Sequence, residues 1–118
     1  MEAQAAPRPV MPEQHLWKGN LSNNWPELSY DRLLQEGGLL ELSEHLARYG
    51  IAFLRDVPVE PGMVGVVGNQ IGHVRVTNYG SIFDVVDKGA FANNLAYTSQ
   101  RIGAHTDNPY RDPFPGVQ

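Results

Sequence analysis

Residues 93–118 read NNLAYTSQRIGAHTDNPYRDPFPGVQ, and the rest of the chain is read outward from them. Leu95 to Asp107 predicts an extended run. From Asn108 onward, Pro109, Pro113 and Pro115 predict a loop. Near the junction stands His105-Thr106-Asp107. Side chains at i and i+2 of a strand share a face, with Cα atoms about 6.6 Å apart. An imidazole and a carboxylate so placed are two donors for one ion. A second His from elsewhere would complete a 2-His-1-carboxylate face, which leaves three positions open on Fe(II) for a chelating cosubstrate and dioxygen. The spacing is not rare: with four His and six Asp, chance supplies a His-x-Asp in about one sequence in five. On spacing alone, a His paired with a carboxylate in an ordinary strand or turn explains the tripeptide better.

Working back from this motif, His73 to Val86 predicts an extended segment, with a turn at Lys88-Gly89. Met63 to Ile71 predicts a helix through Met63, Val64, Val67 and Ile71, weakened by Gly65 and Gly68. Asp56 to Gly62 is a turn, and Ile51 to Leu54 a short buried strand. Leu39, Leu42, Leu46 and Tyr49 mark one helix face, which Gly50 ends in a left-handed cap. Asp31 to Gln35 predicts a helical turn, set apart by Gly37-Gly38. Residues 1–28 read as an N-terminal arm broken by four prolines, with Trp17 and Trp25 packing it against a body at 29–118. Gly116-Val117-Gln118 resembles the entry to a strand. The class predicted is α+β.

Composition narrows the function. The chain has 118 residues and is 42% hydrophobic, which suits one small globular domain and excludes disorder throughout. Gly and Pro make up about 18%, against about 12% as the usual share, so turns should dominate over long helices. A net charge of −4 gives no electrostatic footprint for nucleic acid or an anionic membrane. Without cysteine there is no disulfide, thiolate nucleophile or Cys-based zinc site. The start has no apolar secretory core, and no apolar stretch is long enough to span a bilayer. A soluble, cytoplasmic protein is expected, with homo-oligomerisation left open.

Three stretches together carry more than the tripeptide does: GIAFLRDVP (50–58), RVTNYGSIFDVVDK (75–88) and residues 93–118. They resemble the clavaminate synthase/taurine dioxygenase-like group of Fe(II)/2-oxoglutarate-dependent oxygenases. Within it they are most similar to the γ-butyrobetaine, trimethyllysine and trimethylaminoethylphosphonate dioxygenases, which hydroxylate trimethylammonium compounds. The likeness covers roughly Trp17 to Gln118. It implies a double-stranded β-helix (jelly-roll) with N-terminal helices, present here only in part. It implies Fe(II) as cofactor, with 2-oxoglutarate and dioxygen as cosubstrates. His105 and Asp107 match the first two iron ligands, Tyr79 and Tyr97 match aromatic walls of the substrate site, and Asn94 matches a polar substrate contact. Phe83 falls where γ-butyrobetaine enzymes carry a Trp.

The chemistry of those residue types agrees. A trimethylammonium head cannot donate a conventional hydrogen bond, so fit and the negative faces of aromatic rings must hold it, at about 0.5–2 kcal/mol per ring. Without the resemblance, three aromatics in extended segments would be read as core. The other polar residues are read plainly. His45 lies opposite the leucine face and should be solvated, as should the turn formed by Asp84, Asp87 and Lys88. Arg101 and Arg111 are surface charges or attractors of an anionic substrate.

The chain also departs from the pattern. The resemblance puts the second iron-binding His and the 2-oxoglutarate-binding Arg beyond the position of Gln118, so the chain is expected to be an N-terminal portion, inactive by itself. The N-terminal Cys-ligated zinc domain of γ-butyrobetaine dioxygenases has no counterpart, and Asn108 follows Asp107 where those enzymes often carry an aromatic ring. Two alternatives stay open: a taurine-type or other small-acid oxygenase, and a non-catalytic remnant.

Overall fold

The structure is a computed structural model that describes residues 10–91 and 95–118. The chain divides into two compact units, one ending at Ser81 and the other running from Ile82 to Gln118.

In the first unit a 3-10 turn at Gly19–Asn23 precedes strand β1 (Glu27–Ser29), helix α1 (Tyr30–Leu33), helix α2 (Gly38–Tyr49), strand β2 (Phe53–Arg55) and helix α3 (Met63–Ile71). The two strands pair in parallel, with Glu27 opposite Phe53, Leu28 opposite Leu54 and Ser29 opposite Arg55. Parallel neighbours cannot be joined by a tight hairpin, so the chain between them must cross over. Helices α1 and α2 are that crossover. Leu28, Leu33 and Leu42 form the buried cluster, and Tyr30, Leu46, Ala52, Leu54 and Ile71 pack against it. Each leucine taken out of water contributes about 1.5–3 kcal/mol.

Glu27 and Leu28 are therefore not the end of an arm: one is in a strand, the other in the core, and Leu21 is buried as well. A three-residue strand is too short to show an alternating pattern, and its partner lies 26 positions on, so no local signal announces it. Even Pro26 joins the ladder, since its carbonyl accepts from the Phe53 N–H at 2.9 Å. The tryptophans do pack the arm down as expected. Trp17 Nε1–H donates to the Tyr49 carbonyl at 2.7 Å, and Trp25 meets the Phe53 ring edge-on with centroids 4.9 Å apart.

The crossover shows where local rules hold and where packing overrides them. Ser29 caps α1, its hydroxyl accepting from the Arg32 N–H at 3.1 Å. Gly50 ends α2 in the left-handed region at φ 72°, as expected. The buried face of α2, however, runs through Gly38 and Leu42, with Leu39 42% exposed. Gly38 is more than a helix breaker. A Cβ there would fall on the Arg32 carbonyl oxygen and lie 2.7 Å from the Leu33 carbonyl oxygen, all of it backbone. The missing side chain lets α2 start against the end of α1. His45 is half-buried where solvation was expected; its ring meets Tyr49 edge-on at 6.3 Å. Helix α3 has the predicted bounds, but Val64 is 79% exposed and only Ile71 reaches the core cluster.

The extended segments fare differently. Over 73–86 the backbone forms only an isolated bridge, Thr77 to Gly80, and Leu95–Tyr97 is a 3-10 turn. Among the described residues of the second unit there is no strand, so the jelly-roll sheet is not assembled here and the α+β architecture is incomplete. The reason is physical: extended segments become sheet only when partners supply the ladder and cover one face. Phe91 and Phe114 in this unit are more than two-thirds exposed. No helix among the described residues is long and apolar enough to cross a membrane.

Two predictions follow from this packing. Gly38→Ala should destabilise the first unit by about 1–3 kcal/mol, because the obstructing atoms are backbone and cannot rotate away; a urea titration followed by Trp fluorescence measures it. The second concerns Glu27, whose carboxylate accepts from Arg55 Nε at 2.8 Å and from its second nitrogen at 2.6 Å. That bidentate bond holds the Glu27 carboxyl below the usual glutamate value. The folded value lies under the unfolded one, so the pair stabilises above the unfolded value and loses its effect as pH falls through the folded one. Wild type and Glu27→Gln should differ in urea midpoint at neutral pH and converge in acid below the carboxylate range.

Candidate metal centre

His105 and Asp107 lie in the second unit, on irregular backbone and not on the strand the spacing predicts. Their side chains converge nevertheless. His105 Nε2 stands 3.3 Å from Asp107 Oδ1, and both groups are exposed. Donor atoms bound to one ion at about 2.1 Å and at right angles lie about 3.0 Å apart, so the observed separation is close to a chelating bite.

Hydrogen bonding fixes which imidazole nitrogen faces the carboxylate. His105 Nδ1 is 2.8 Å from the Gly103 carbonyl oxygen. A carbonyl can only accept, so Nδ1 carries the proton. In the neutral ring Nε2 then presents a lone pair toward a carboxylate oxygen that is also an acceptor. Two acceptors at this distance repel unless a cation lies between them, either a proton on Nε2 or a bound metal. Such a carbonyl partner on the far nitrogen is the usual way a metal-ligating histidine is oriented.

Asp107 is held by contacts that its side-chain chemistry does not announce. Its N–H donates to Gln118 Oε1 at 3.3 Å, and Gln118 Nε2 donates back to the Asp107 carbonyl at 3.0 Å. The carboxamide thus exchanges both bonds, as a residue of a neighbouring antiparallel strand would. Immediately after, Asn108 takes a left-handed φ of 49°, which Asn tolerates better than most residues. Its Oδ1 accepts from the Tyr110 hydroxyl at 2.9 Å. Arg111, read as a surface charge or an attractor of an anionic substrate, is half-buried. Among the described residues no group of three or more His, Asp or Glu converges on one point, so the pair supplies two ligands and no third.

The aromatic candidates are placed as follows. Tyr79 belongs to the first unit, exposed on the turn closed by the Thr77–Gly80 bridge. Phe83 is 48% exposed in the second unit. Tyr97 is half-buried at the end of a 3-10 turn, which overturns the regular strand that would have put it on one face with His105. Its ring carries the Lys88 ammonium, 4.6 Å from the centroid. Lys88, read from sequence as part of a solvated turn, is thus engaged. Asn94 lies outside the described residues. In the first unit, a hollow of about 340 Å³ between the arm and α2 is lined by His15, Trp17, Leu46 and Tyr49 among others, and none of the predicted site residues lines it.

Residues 18–118 match the model of the family described as taurine catabolism dioxygenase TauD, TfdA family. The chain belongs to this family. Its relatives include γ-butyrobetaine dioxygenase of Pseudomonas sp. (strain AK-1), 35% identical over 108 residues, 91% of this chain and 27% of the relative. Human γ-butyrobetaine dioxygenase is 36% identical over 109 residues, again 91% of this chain and 27% of the relative. Trimethyllysine dioxygenase of Neurospora crassa is 30% identical over 105 residues, 87% of this chain and 22% of the relative. The chain therefore spans about a quarter of the length of these TauD/TfdA relatives, and the family implies a jelly-roll fold for the whole.

Removing the carboxamide should loosen the backbone at Asp107 before it affects the fold. In Gln118→Ala the Asp107 amide should exchange with solvent up to about tenfold faster, the equivalent of one lost net hydrogen bond, while the amides of α2 keep their rates. Hydrogen exchange read by NMR distinguishes the two.

Proposed function

We propose that this chain is the first part of an Fe(II)/2-oxoglutarate-dependent dioxygenase that hydroxylates a small trimethylammonium substrate, and that these 118 residues alone do not turn over. The observation that carries the reading is the facing pair His105 Nε2 and Asp107 Oδ1 at 3.3 Å, set in a chain of the TauD/TfdA family. The relatives named for γ-butyrobetaine and trimethyllysine support the substrate class, because both compounds carry a quaternary ammonium head.

In this reading His105 and Asp107 hold the iron, and the remaining ligand and the counter-charge for 2-oxoglutarate come from further sequence. When bound there, Fe(II) with 2-oxoglutarate supplies the oxidation of an unactivated C–H bond by dioxygen. The Gly103 carbonyl keeps the His105 proton on Nδ1 and Nε2 free to ligate. Gln118 fixes the backbone from which the Asp107 carboxylate projects. Tyr97 and Phe83 offer aromatic faces to the substrate's cationic head, and the family resemblance gives Tyr79 and Asn94 substrate contacts as well. A remote cation held by aromatic faces orients the substrate for reaction at a distant carbon. The jelly-roll of the family is completed only when further strands pair with the extended segments of the second unit.

Mn(II), a redox-inert stand-in, tests the pair directly. It should broaden the NMR signals of residues 103–107 first, and His105→Ala should weaken its binding by about tenfold or more. Equal affinity in the variant, or broadening centred elsewhere, refutes the metal assignment.

A further inference from the structure

Lys88 and Tyr97 are nine positions apart, yet two contacts join them: the Lys88 N–H donates to the Tyr97 carbonyl at 2.8 Å, and the Lys88 Nζ lies 4.6 Å from the Tyr97 ring centroid. Both residues sit on pinned turns. Before Lys88, Asp87 Oδ1 accepts from the Gly89 N–H at 2.7 Å; beyond Tyr97, the Thr98 hydroxyl donates to the Leu95 carbonyl at 2.8 Å. The ion pairs formed among the described residues do not include Lys88, so the aromatic face is the partner its ammonium is seen to have. The lysine stem is exposed and can swing away while the backbone bond stays in place.

We propose that Lys88 is a built-in competitor for the face of Tyr97: its ammonium occupies the seat that the quaternary ammonium head of a substrate takes, and the ligand enters by displacing it. This rests on the reading of Tyr97 as a cation-binding wall. The exchange is favourable for a quaternary ion in particular. A primary ammonium on the ring gives up hydrogen bonds to water that it regains on swinging out, whereas a tetraalkylammonium has none to lose. Lys88 also keeps the ring face from standing bare when no ligand is present. As a competitor it lowers the affinity of every ligand cation for that face by one common factor, and an exposed lysine–ring contact sets this factor at about two- to fivefold.

The test uses the 118-residue chain with tetramethylammonium chloride at 0.15 M ionic strength, followed by NMR of the Tyr97 ring and the Lys88 ε-methylene. Without ligand, the Lys88 ε-protons should be shifted upfield by the ring, and Tyr97→Leu should abolish that shift; its absence in the wild type overturns the proposal. On titration the ε-protons should move toward their free position as the Tyr97 ring signals move. Lys88→Met should tighten tetramethylammonium binding by about two- to fivefold, and the gain should vanish in the Tyr97→Leu background. A gain that persists without the ring identifies plain charge repulsion and overturns the competitor. If Lys88→Met changes nothing while Tyr97→Leu weakens binding, Lys88 is not a competitor but the ring remains a cation seat. If Tyr97→Leu leaves binding unchanged, the cation seat itself is lost, and the competitor with it.

Discussion

The parallel pairing of β1 with β2 is the constraint on which the first unit is built. Two strands running the same way oblige the chain between them to travel back, and here two helices make the return. That return lays α1 and α2 over the pair and brings Leu28, Leu33 and Leu42 together. The turn between the helices is tight enough that Gly38 has no room for a side chain. Arg55 and Glu27 close the same register from outside, across the ladder.

The second unit has no such ladder among its described residues, and its order is local. Side chains bind backbone a few positions away: Asp87 on Gly89, Thr98 on Leu95, His105 on Gly103. Lys88 on Tyr97 and Gln118 on Asp107 reach further along the chain. Bonds of this kind fix the direction of a side chain without burying apolar surface, which is why His105 and Asp107 can face each other while Phe91 and Phe114 stay in solvent. The relatives this chain matches are about four times as long.

The second unit poses two separate electrostatic problems. At His105 and Asp107, two acceptors face each other and call for a cation between them. At Tyr97, an aromatic face calls for a cation above it, and Lys88 supplies one.

Much of this was legible from residue order alone. The Leu42–Leu46–Tyr49 spacing and Gly50 specify α2 and its cap, because helix periodicity and left-handed backbone are local properties. The bounds of α3 and the packing role of Trp17 and Trp25 follow from equally local chemistry, and the family is written in the residues around His105-Thr106-Asp107. What residue order could not supply is whatever depends on a partner distant in the chain. Strand β1 exists because β2 lies beside it; Leu39 is exposed and Gly38 buried because α1 sits where it does. The extended runs remain unpaired for want of neighbours. His105 and Asp107 converge not through the pleat of a strand but because Gly103 and Gln118 hold them. Periodicity reports which residues prefer to be buried or extended; only the tertiary structure decides what is there to bury them.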